Sequence, residues 1–203
     1  GHASVTVGYR NIWDDGYPSG GNYWSNYNGT DFYNGLYQNE TGSDGTGDTP
    51  HVIDADNQDG HPLMGPINFF NAGTWNETTY YVHTVSNSTV SDFYFSEDDK
   101  LVSYNVTGPD GSLDFCRVTI PKRLLWCDAP DQWAVLVNNT AVPYRVIENG
   151  DNTYLYFNYS HSIQRVQIEG IHVIPEFPTW ISMLLILIVL TVTIVIYKRR
   201  LLK

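Results

Sequence analysis

Leu113-Asp114-Phe115-Cys116-Arg117-Val118-Thr119-Ile120 is the stretch that decides the fold class of this chain. Its side chains fall into two alternating sets, because successive residues of an extended strand point to opposite faces of a sheet. One set is Leu113, Phe115, Arg117 and Thr119, and the other is Asp114, Cys116, Val118 and Ile120. The stretch therefore predicts a β-strand that contributes to a core.

Seven further runs have the length and composition of short strands. They are Thr79–Val85, Val90–Ser96, Leu101–Thr107, Trp133–Asn138, Tyr144–Ile147, Thr153–Tyr159 and Gln164–Ile171. Turn residues separate several of them, as in Gly108-Pro109-Asp110-Gly111. Closely spaced short strands of this kind suit a β-sandwich of immunoglobulin-like type, which we predict for residues 74–174.

Residues 1–65 differ in character, with many Gly, Asn, Asp and aromatic residues and little sustained periodicity. We expect a separate segment here, followed by a linker at residues 66–73, where Pro and Gly interrupt the chain. Its most distinctive blocks are WDDGYPSGGNYWSNY (residues 13–27), GSDGTGDTP (residues 42–50) and IDADNQDGHPLM (residues 53–64).

These blocks, in this order and spacing, resemble the end of the right-handed parallel β-helix of NosD-type proteins on archaeal surfaces. The pattern departs only at Asn26, where the family usually has Asp. The resemblance implies that residues 1–65 form the last coil and cap of a β-helix, since the end of a solenoid must cover an open core. The repeating coils would lie upstream, so we expect this chain to be the C-terminal part of a longer protein.

The Asp-rich blocks predict a structural calcium site. Calcium takes six to eight oxygen ligands in a flexible geometry, and the interspersed glycines would let backbone carbonyls join. The candidate ligands are Asp44, Asp48, Asp54, Asp56, Asn57 and Asp59. The alternative is an acidic cluster of turns, in which Asp and Asn side chains bond to nearby backbone groups.

The aromatic block allows a weaker prediction of glycan contact, because aromatic rings stack on sugar faces. Its candidates are Trp13, Tyr17, Tyr23 and Trp24. Catalysis by Asp14 and Asp15 is disfavoured, because adjacent side chains of an extended chain point to opposite sides. The NosD label also suggests copper, but His51, His61 and Met64 match no ligand spacing, so we do not expect it.

Charge and sequons favour an extracellular surface. The chain has 22 acidic residues against 11 Lys and Arg, which disfavours nucleic acid as a partner. Seven Asn-x-Ser/Thr sequons begin at Asn28, Asn39, Asn76, Asn87, Asn105, Asn138 and Asn158. In an oxidising exterior, Cys116 and Cys127 would form a disulfide, with two independent thiols as the alternative.

Residues 175–203 form a tail of three parts. Pro175, Glu176, Phe177 and Pro178 precede an apolar run from Trp180 to Tyr197, which is followed by a basic end. The run predicts a transmembrane helix whose basic end stays cytoplasmic.

The tail as a whole resembles the archaeal PEF-CTERM sorting signal. That resemblance implies cleavage by an archaeosortase and transfer to a lipid anchor. A permanent single-pass anchor is the alternative.

We therefore expect a mostly β, non-catalytic protein displayed at a cell surface, with a structural, adhesive or glycan-binding role and calcium in its cap. Extracellular glycans or surface-layer proteins would be its partners. Two other functions stay open at this point. The chain could belong to a β-helix polysaccharide lyase or hydrolase with its catalytic coils upstream, or to a NosD-like copper-binding protein.

Overall fold

Two antiparallel five-stranded sheets make up most of the computed structural model, which describes residues 11–160, 164–174 and 179–201. The prediction of a mostly β chain is confirmed. Four two-residue strands precede the sheets: β1 (Tyr33–Asn34), β2 (Glu40–Thr41), β3 (His51–Val52) and β4 (Gln58–Asp59).

Sheet I has the strand order β13-β14-β9-β6-β5, and sheet II has the order β12-β11-β15-β8-β7. The bounds are β5 (Ile67–Trp75), β6 (Thr78–Ser86), β7 (Thr89–Ser96), β8 (Leu101–Thr107), β9 (Leu113–Pro121), β10 (Leu125–Trp126), β11 (Ala134–Val137), β12 (Thr140–Ala141), β13 (Tyr144–Glu148), β14 (Asn152–Ser160), β15 (Gln164–Glu169) and β16 (His172–Val173). The short strands β10 and β16 pair with each other. All eight predicted strands are present.

The core follows the alternation in β9. Cys116, Val118 and Ile120 are fully buried, and so is Tyr104 of β8 in the other sheet. The hydroxyl of Tyr104 lies 3.2 Å from the Cys116 sulfur, so the two sheets meet at this contact. Burying an aliphatic side chain such as Val118 or Ile120 contributes roughly 1.5–3 kcal/mol. Of the two alternating sets in β9, the one that contains Cys116, Val118 and Ile120 therefore faces the core between the sheets.

The predicted linker at residues 66–73 is wrong, because most of it lies in β5, the edge strand of sheet I. The pairing of β5 with β6 shifts between Asn71 and Gly73, which forms a bulge. Gly73 has φ +133, and a Cβ there would lie 2.3 Å from the Trp75 ring. Glycine thus marks a bend within a strand here, not a break between domains.

The edge strand of sheet II carries a similar irregularity. The register of β7 against β8 shifts between Ser91 and Tyr94, and Asp92 has φ +52. The two irregular edges lie close together, since the Phe70 and Phe93 rings stack with centroids 4.8 Å apart.

The N-terminal segment, residues 11–65, is not a separate domain, and it contains no β-helix coil within the described residues. It belongs to the same compact unit as the two sheets. Its strands pair in antiparallel hairpins, and the parallel contact in this segment is a single bridge between Tyr23 and Leu63. Irregular backbone of this kind needs side chains to satisfy its N–H groups.

The predicted disulfide is also absent, since both cysteines are free. Cys116 points into the core between the sheets, where it meets Tyr104. Cys127 follows β10, which lies outside both five-stranded sheets. The alternative of two independent thiols therefore describes this structure.

The tail forms the helix α1 (Thr179–Leu201), which makes up most of a second unit. Within the residues that the structure describes, no helix has both the length and the apolar character needed to cross a membrane. The motif Pro175, Glu176, Phe177 and Pro178 lies outside the described residues.

The two thiols should differ in reactivity towards iodoacetamide without any reductant. Cys127 should be alkylated in the native chain, and Cys116 only after unfolding, because Cys116 is fully buried. Burial also raises the pKa of the Cys116 thiol to about 12, so little of the reactive thiolate forms. Mass spectrometry of the peptides measures both rates. Protection of both cysteines until dithiothreitol is added would contradict the free thiols.

Candidate functional site

One face of sheet I is covered by the N-terminal segment instead of solvent. A row of paired residues crosses this face from β13 to β6: Arg145, Tyr156, Arg117 and Val85. The segment contacts it at several points, as where the Ser19 hydroxyl lies 3.2 Å from that of Tyr154. Sheet I is therefore buried on both sides around β9, and its alternation no longer separates core from solvent.

Arg117 is the central residue of this interface and is only 1% exposed. Its Nη2 donates to the carbonyl oxygen of Pro18, and its Nη1 donates to the Thr46 hydroxyl at 3.1 Å. The guanidinium carbon lies 4.9 Å from the centre of the Tyr154 ring, in a cation–π contact. One side chain of β9 thus holds two distant parts of the N-terminal segment.

Negatively charged side chains near Arg117 favour its charged form and so offset part of the cost of its burial. Burial alone lowers the pKa of the guanidinium, and the negative charges of Asp44 and Asp31 act in the opposite direction. Asp44 is fully buried, and its carboxylate accepts the backbone N–H of Thr46 at 2.9 Å. The interface therefore contains a cation and nearby acids in a region from which water is excluded.

Glycine permits the close approach of the chain to Arg117. Gly45 has φ +85, and a Cβ there would lie 3.0 Å from Cδ of Arg117. Gly20 has φ +87, and a Cβ there would lie 2.7 Å from the Leu63 side chain. Both positions combine a left-handed backbone with a tight contact, so other residues would be strained there.

Asp31 holds the loop that faces Arg117. Its two carboxylate oxygens accept the backbone N–H groups of Asp44 at 3.0 Å and Gly45 at 2.8 Å. Burial raises the pKa of Asp31 to about 7, although these two bonds favour the charged form; the charges of Asp44 and Asp48 raise it further. Asp31 is thus an acid that titrates near neutral pH within a structural contact.

Two predicted calcium ligands also accept hydrogen bonds from the chain. Asp48 accepts the backbone N–H of Phe32 at 2.9 Å and that of the next residue at 3.0 Å. Asp59 is buried and accepts the Asn22 N–H at 2.7 Å and the Trp24 indole N–H at 2.8 Å. These carboxylates connect stretches of chain that are 15 to 37 residues apart.

The other candidates form a local turn. Asp54 accepts the backbone N–H of Asp56 and the side-chain amide of Asn57, both at 2.9 Å. The hydrogen bond from the side-chain amide of Asn57 is the main cause that lowers the pKa of Asp54. Asn57 is buried, and its carbonyl oxygen accepts the Trp13 indole N–H at 3.2 Å.

The six predicted calcium ligands therefore lie in separate hydrogen-bond networks. Within the described part of the chain, no three His, Cys, Asp or Glu side chains come together as metal ligands would. His51 stacks on Trp24 with ring centroids 4.7 Å apart, and His61 pairs with Asp14 at 3.1 Å. This arrangement matches the alternative of acidic turns, and calcium binding stays an untested prediction, as does the alternative of a copper-binding protein.

The four predicted glycan contacts are only partly brought together. Trp13 and Trp24 meet edge to face with centroids 5.9 Å apart, and both indole N–H groups donate within the segment. Tyr17 bonds instead to Asp44, and burial raises its pKa to about 12. Tyr23 is exposed.

An open groove of about 970 Å³ runs beside Trp13. Asp14, Asp54, Asn57 and Gln58 contribute polar groups to its walls. A polar groove beside an aromatic ring can accept a sugar, because stacking and hydrogen bonding then act together.

Arg117, Asp31 and Asp14 organise the segment, although no sequence pattern predicts a structural role for any of them. Asp14 accepts the N–H groups of Gly16 at 2.9 Å and Gly60 at 2.8 Å. The available signal is that Arg117 is the single basic residue of the neighbouring strands β9 and β14. A cation at that position needs a partner from elsewhere in the chain.

Replacing Arg117 with Ala should lower the free energy of unfolding by about 3–5 kcal/mol, because it removes a buried charged group with its hydrogen bonds. Urea unfolding followed by Trp fluorescence measures the loss. Limited proteolysis should also cut residues 20–47 faster. Arg117→Lys is the matched control: it keeps the charge but loses the forked donor, so its loss should be smaller. An unchanged urea midpoint for R117A would contradict the central role of Arg117.

Asp31 should make stability fall as pH rises from 5 to 8. The folded protein binds the Asp31 proton more tightly than the unfolded chain, because its pKa is about 7 instead of 3.8. Ionising it in the folded state therefore costs free energy, on the order of 2 kcal/mol after allowance for its partial solvent contact. Denaturant midpoints at several pH values test this. Asp31→Asn should remove that part of the pH dependence, and an equal slope in both proteins would refute it.

Comparison of the chain with protein-family models, with curated proteins and with solved structures gives no match. The NosD-type and PEF-CTERM resemblances therefore stay predictions from the motifs that carry them.

Proposed function

We propose that residues 11–174 act as a non-catalytic display module at a cell surface, with a structural, adhesive or glycan-binding role. The observation that carries this proposal is the buried contact of Arg117 with Pro18, Thr46 and Tyr154. It joins the N-terminal segment to sheet I in one compact unit. A module that transmits force or presents a surface benefits from such rigidity.

The use of the carboxylates supports a non-catalytic role. A glycosidase needs two carboxyl groups that face one sugar from opposite sides. Asp14 instead accepts two backbone N–H groups and pairs with His61. Asp31, Asp48 and Asp59 likewise bond to backbone N–H groups, so their oxygens serve the fold.

Glycan binding is the most specific of these roles, and the groove beside Trp13 supports it. We also propose that the sandwich is of immunoglobulin-like type, which the two five-stranded antiparallel sheets support. The acidic composition, the sequons and the PEF-CTERM-like tail support a location at the cell surface. Extracellular glycans or surface-layer proteins are the partners that this placement would bring within reach.

Surface display predicts that the module can be labelled from outside the cell. Intact cells that produce the chain would be treated with an amine reagent that does not cross membranes. Mass spectrometry should then find Lys100, which is exposed, labelled without lysis. A cytoplasmic protein of the same cells is the control. Labelling of Lys100 only after lysis would contradict surface display.

The non-catalytic role is tested on the same full-length chain with a panel of oligosaccharides. Binding without release of new reducing ends or unsaturated ends supports a display module. Trp13→Ala should weaken binding at the groove, and Trp13→Phe, which keeps a ring, should weaken it less. Product release by the chain itself would favour the lyase or hydrolase alternative.

A further inference from the structure

The seven sequons differ in the geometry that they offer to a glycosyl-transfer enzyme. Asn76 and Asn138 each begin a two-residue hairpin turn in which both residues have positive φ, at 47° and 64° and at 50° and 62°. Both side chains are exposed. The sequon threonines, Thr78 and Thr140, begin the next strand and are also exposed. The side-chain oxygen of Asn138 accepts the backbone N–H of Arg165 at 2.9 Å. The exposed turns nevertheless leave the acceptor nitrogens, Nδ2, directed to solvent.

Asn39 offers a third acceptor of this kind. It lies between β1 and β2 and is exposed, as is its sequon partner Thr41. Among the described residues, no hydrogen bond to the Asn39 side chain is formed. Short loop strands open locally at low cost, because little buried surface holds them closed.

In two sequons, the acceptor nitrogen already donates a hydrogen bond. Nδ2 of Asn87 donates to a carboxylate oxygen of Asp114, which is buried. Nδ2 of Asn105 donates to Asp92 at 2.8 Å. Asn105 also lies within β8, which is paired with strands on both sides.

Asn158 lies within the nine-residue strand β14, opposite Phe115 of β9. Its side-chain oxygen accepts the Tyr156 hydroxyl at 3.0 Å. Presenting Asn158 to an enzyme would require this part of sheet I to open, together with core residues such as Phe157. That opening costs a large share of the stability of the domain.

These differences in hydrogen bonding and exposure matter because glycosyl transfer uses the side-chain nitrogen of Asn as the nucleophile. Nδ2 forms a bond to the anomeric carbon of a sugar on a lipid-linked phosphate donor. The phosphate leaves with the electrons of the broken C–O bond, and Nδ2 loses one proton to a base of the transferase. The acceptor nitrogen must therefore be free of other partners and reachable.

We propose that Asn39, Asn76 and Asn138 are the N-glycan acceptors of the folded chain, and that Asn87, Asn105 and Asn158 are not. Asn28 belongs to neither group, because the hydroxyl of its sequon threonine, Thr30, donates to Asp48. In the cell, the proposal rests on the surface location proposed above. Its test does not use that location, so failure of one is distinguishable from failure of the other.

The test incubates the folded full-length chain with a sequon-specific oligosaccharyltransferase and a lipid-linked oligosaccharide. Glycopeptide mass spectrometry gives the occupancy of each site, and each value is divided by that of a short synthetic peptide spanning the same sequon. The peptides have no fold, so they correct for sequence preference. Asn39, Asn76 and Asn138 should exceed Asn87, Asn105 and Asn158 by at least about tenfold, which corresponds to about 1.4 kcal/mol of opening free energy.

Equal normalised occupancy at the two groups would overturn the proposal, and so would turn sites that stay unmodified in the folded chain while their peptides react. Thr78→Val is the matched variant, since it removes a sequon hydroxyl from an exposed strand position. Asn76 should then lose its glycan, and Asn138 should keep its own. Retention of the glycan at Asn76 in T78V would show that modification does not follow the sequon, and would also overturn the proposal.

Discussion

Burial of the Arg117 guanidinium is the constraint on which the rest of this structure depends. A cation without partners is very costly in a protein interior, so β9 cannot be covered by an arbitrary apolar layer. The partners come from the carbonyl of Pro18 and the hydroxyl of Thr46, which lie far away in sequence. The position of the N-terminal segment on sheet I follows from this requirement. The contact with Tyr154 gives the planar group a matching surface.

The acidic character of the N-terminal segment has a structural explanation within the segment itself. Irregular backbone leaves many N–H groups without strand partners, and carboxylates are strong acceptors for them. Asp14, Asp31, Asp48 and Asp59 each accept two or more such bonds from backbone or indole groups. A high local density of Asp therefore indicates a loop-rich fold here as readily as it indicates a metal.

Much of the sheet architecture is predictable from the sequence, and the reasons for success and failure are physical. Strand positions follow from alternation and turn residues, so all eight predicted strands are found with ends within two residues. β5 is missed because Gly73 reads as a break, whereas it forms a bulge. The covering of Arg117 is missed because alternation along one strand carries no information about a layer from a distant segment. The Asp roles are missed because carboxylates that bond to backbone and carboxylates that bind metal use the same residue types.

The bulges in β5 and β7 change how these two edges can meet a second molecule. Each strand is the outer edge of its sheet, and a regular exposed edge can recruit a strand from a neighbouring molecule. A shifted register interrupts the row of free N–H and C=O groups, so a second chain cannot continue the ladder over its full length. The same irregularities that hide β5 from sequence analysis therefore make these two edges poor templates for a strand from a second molecule.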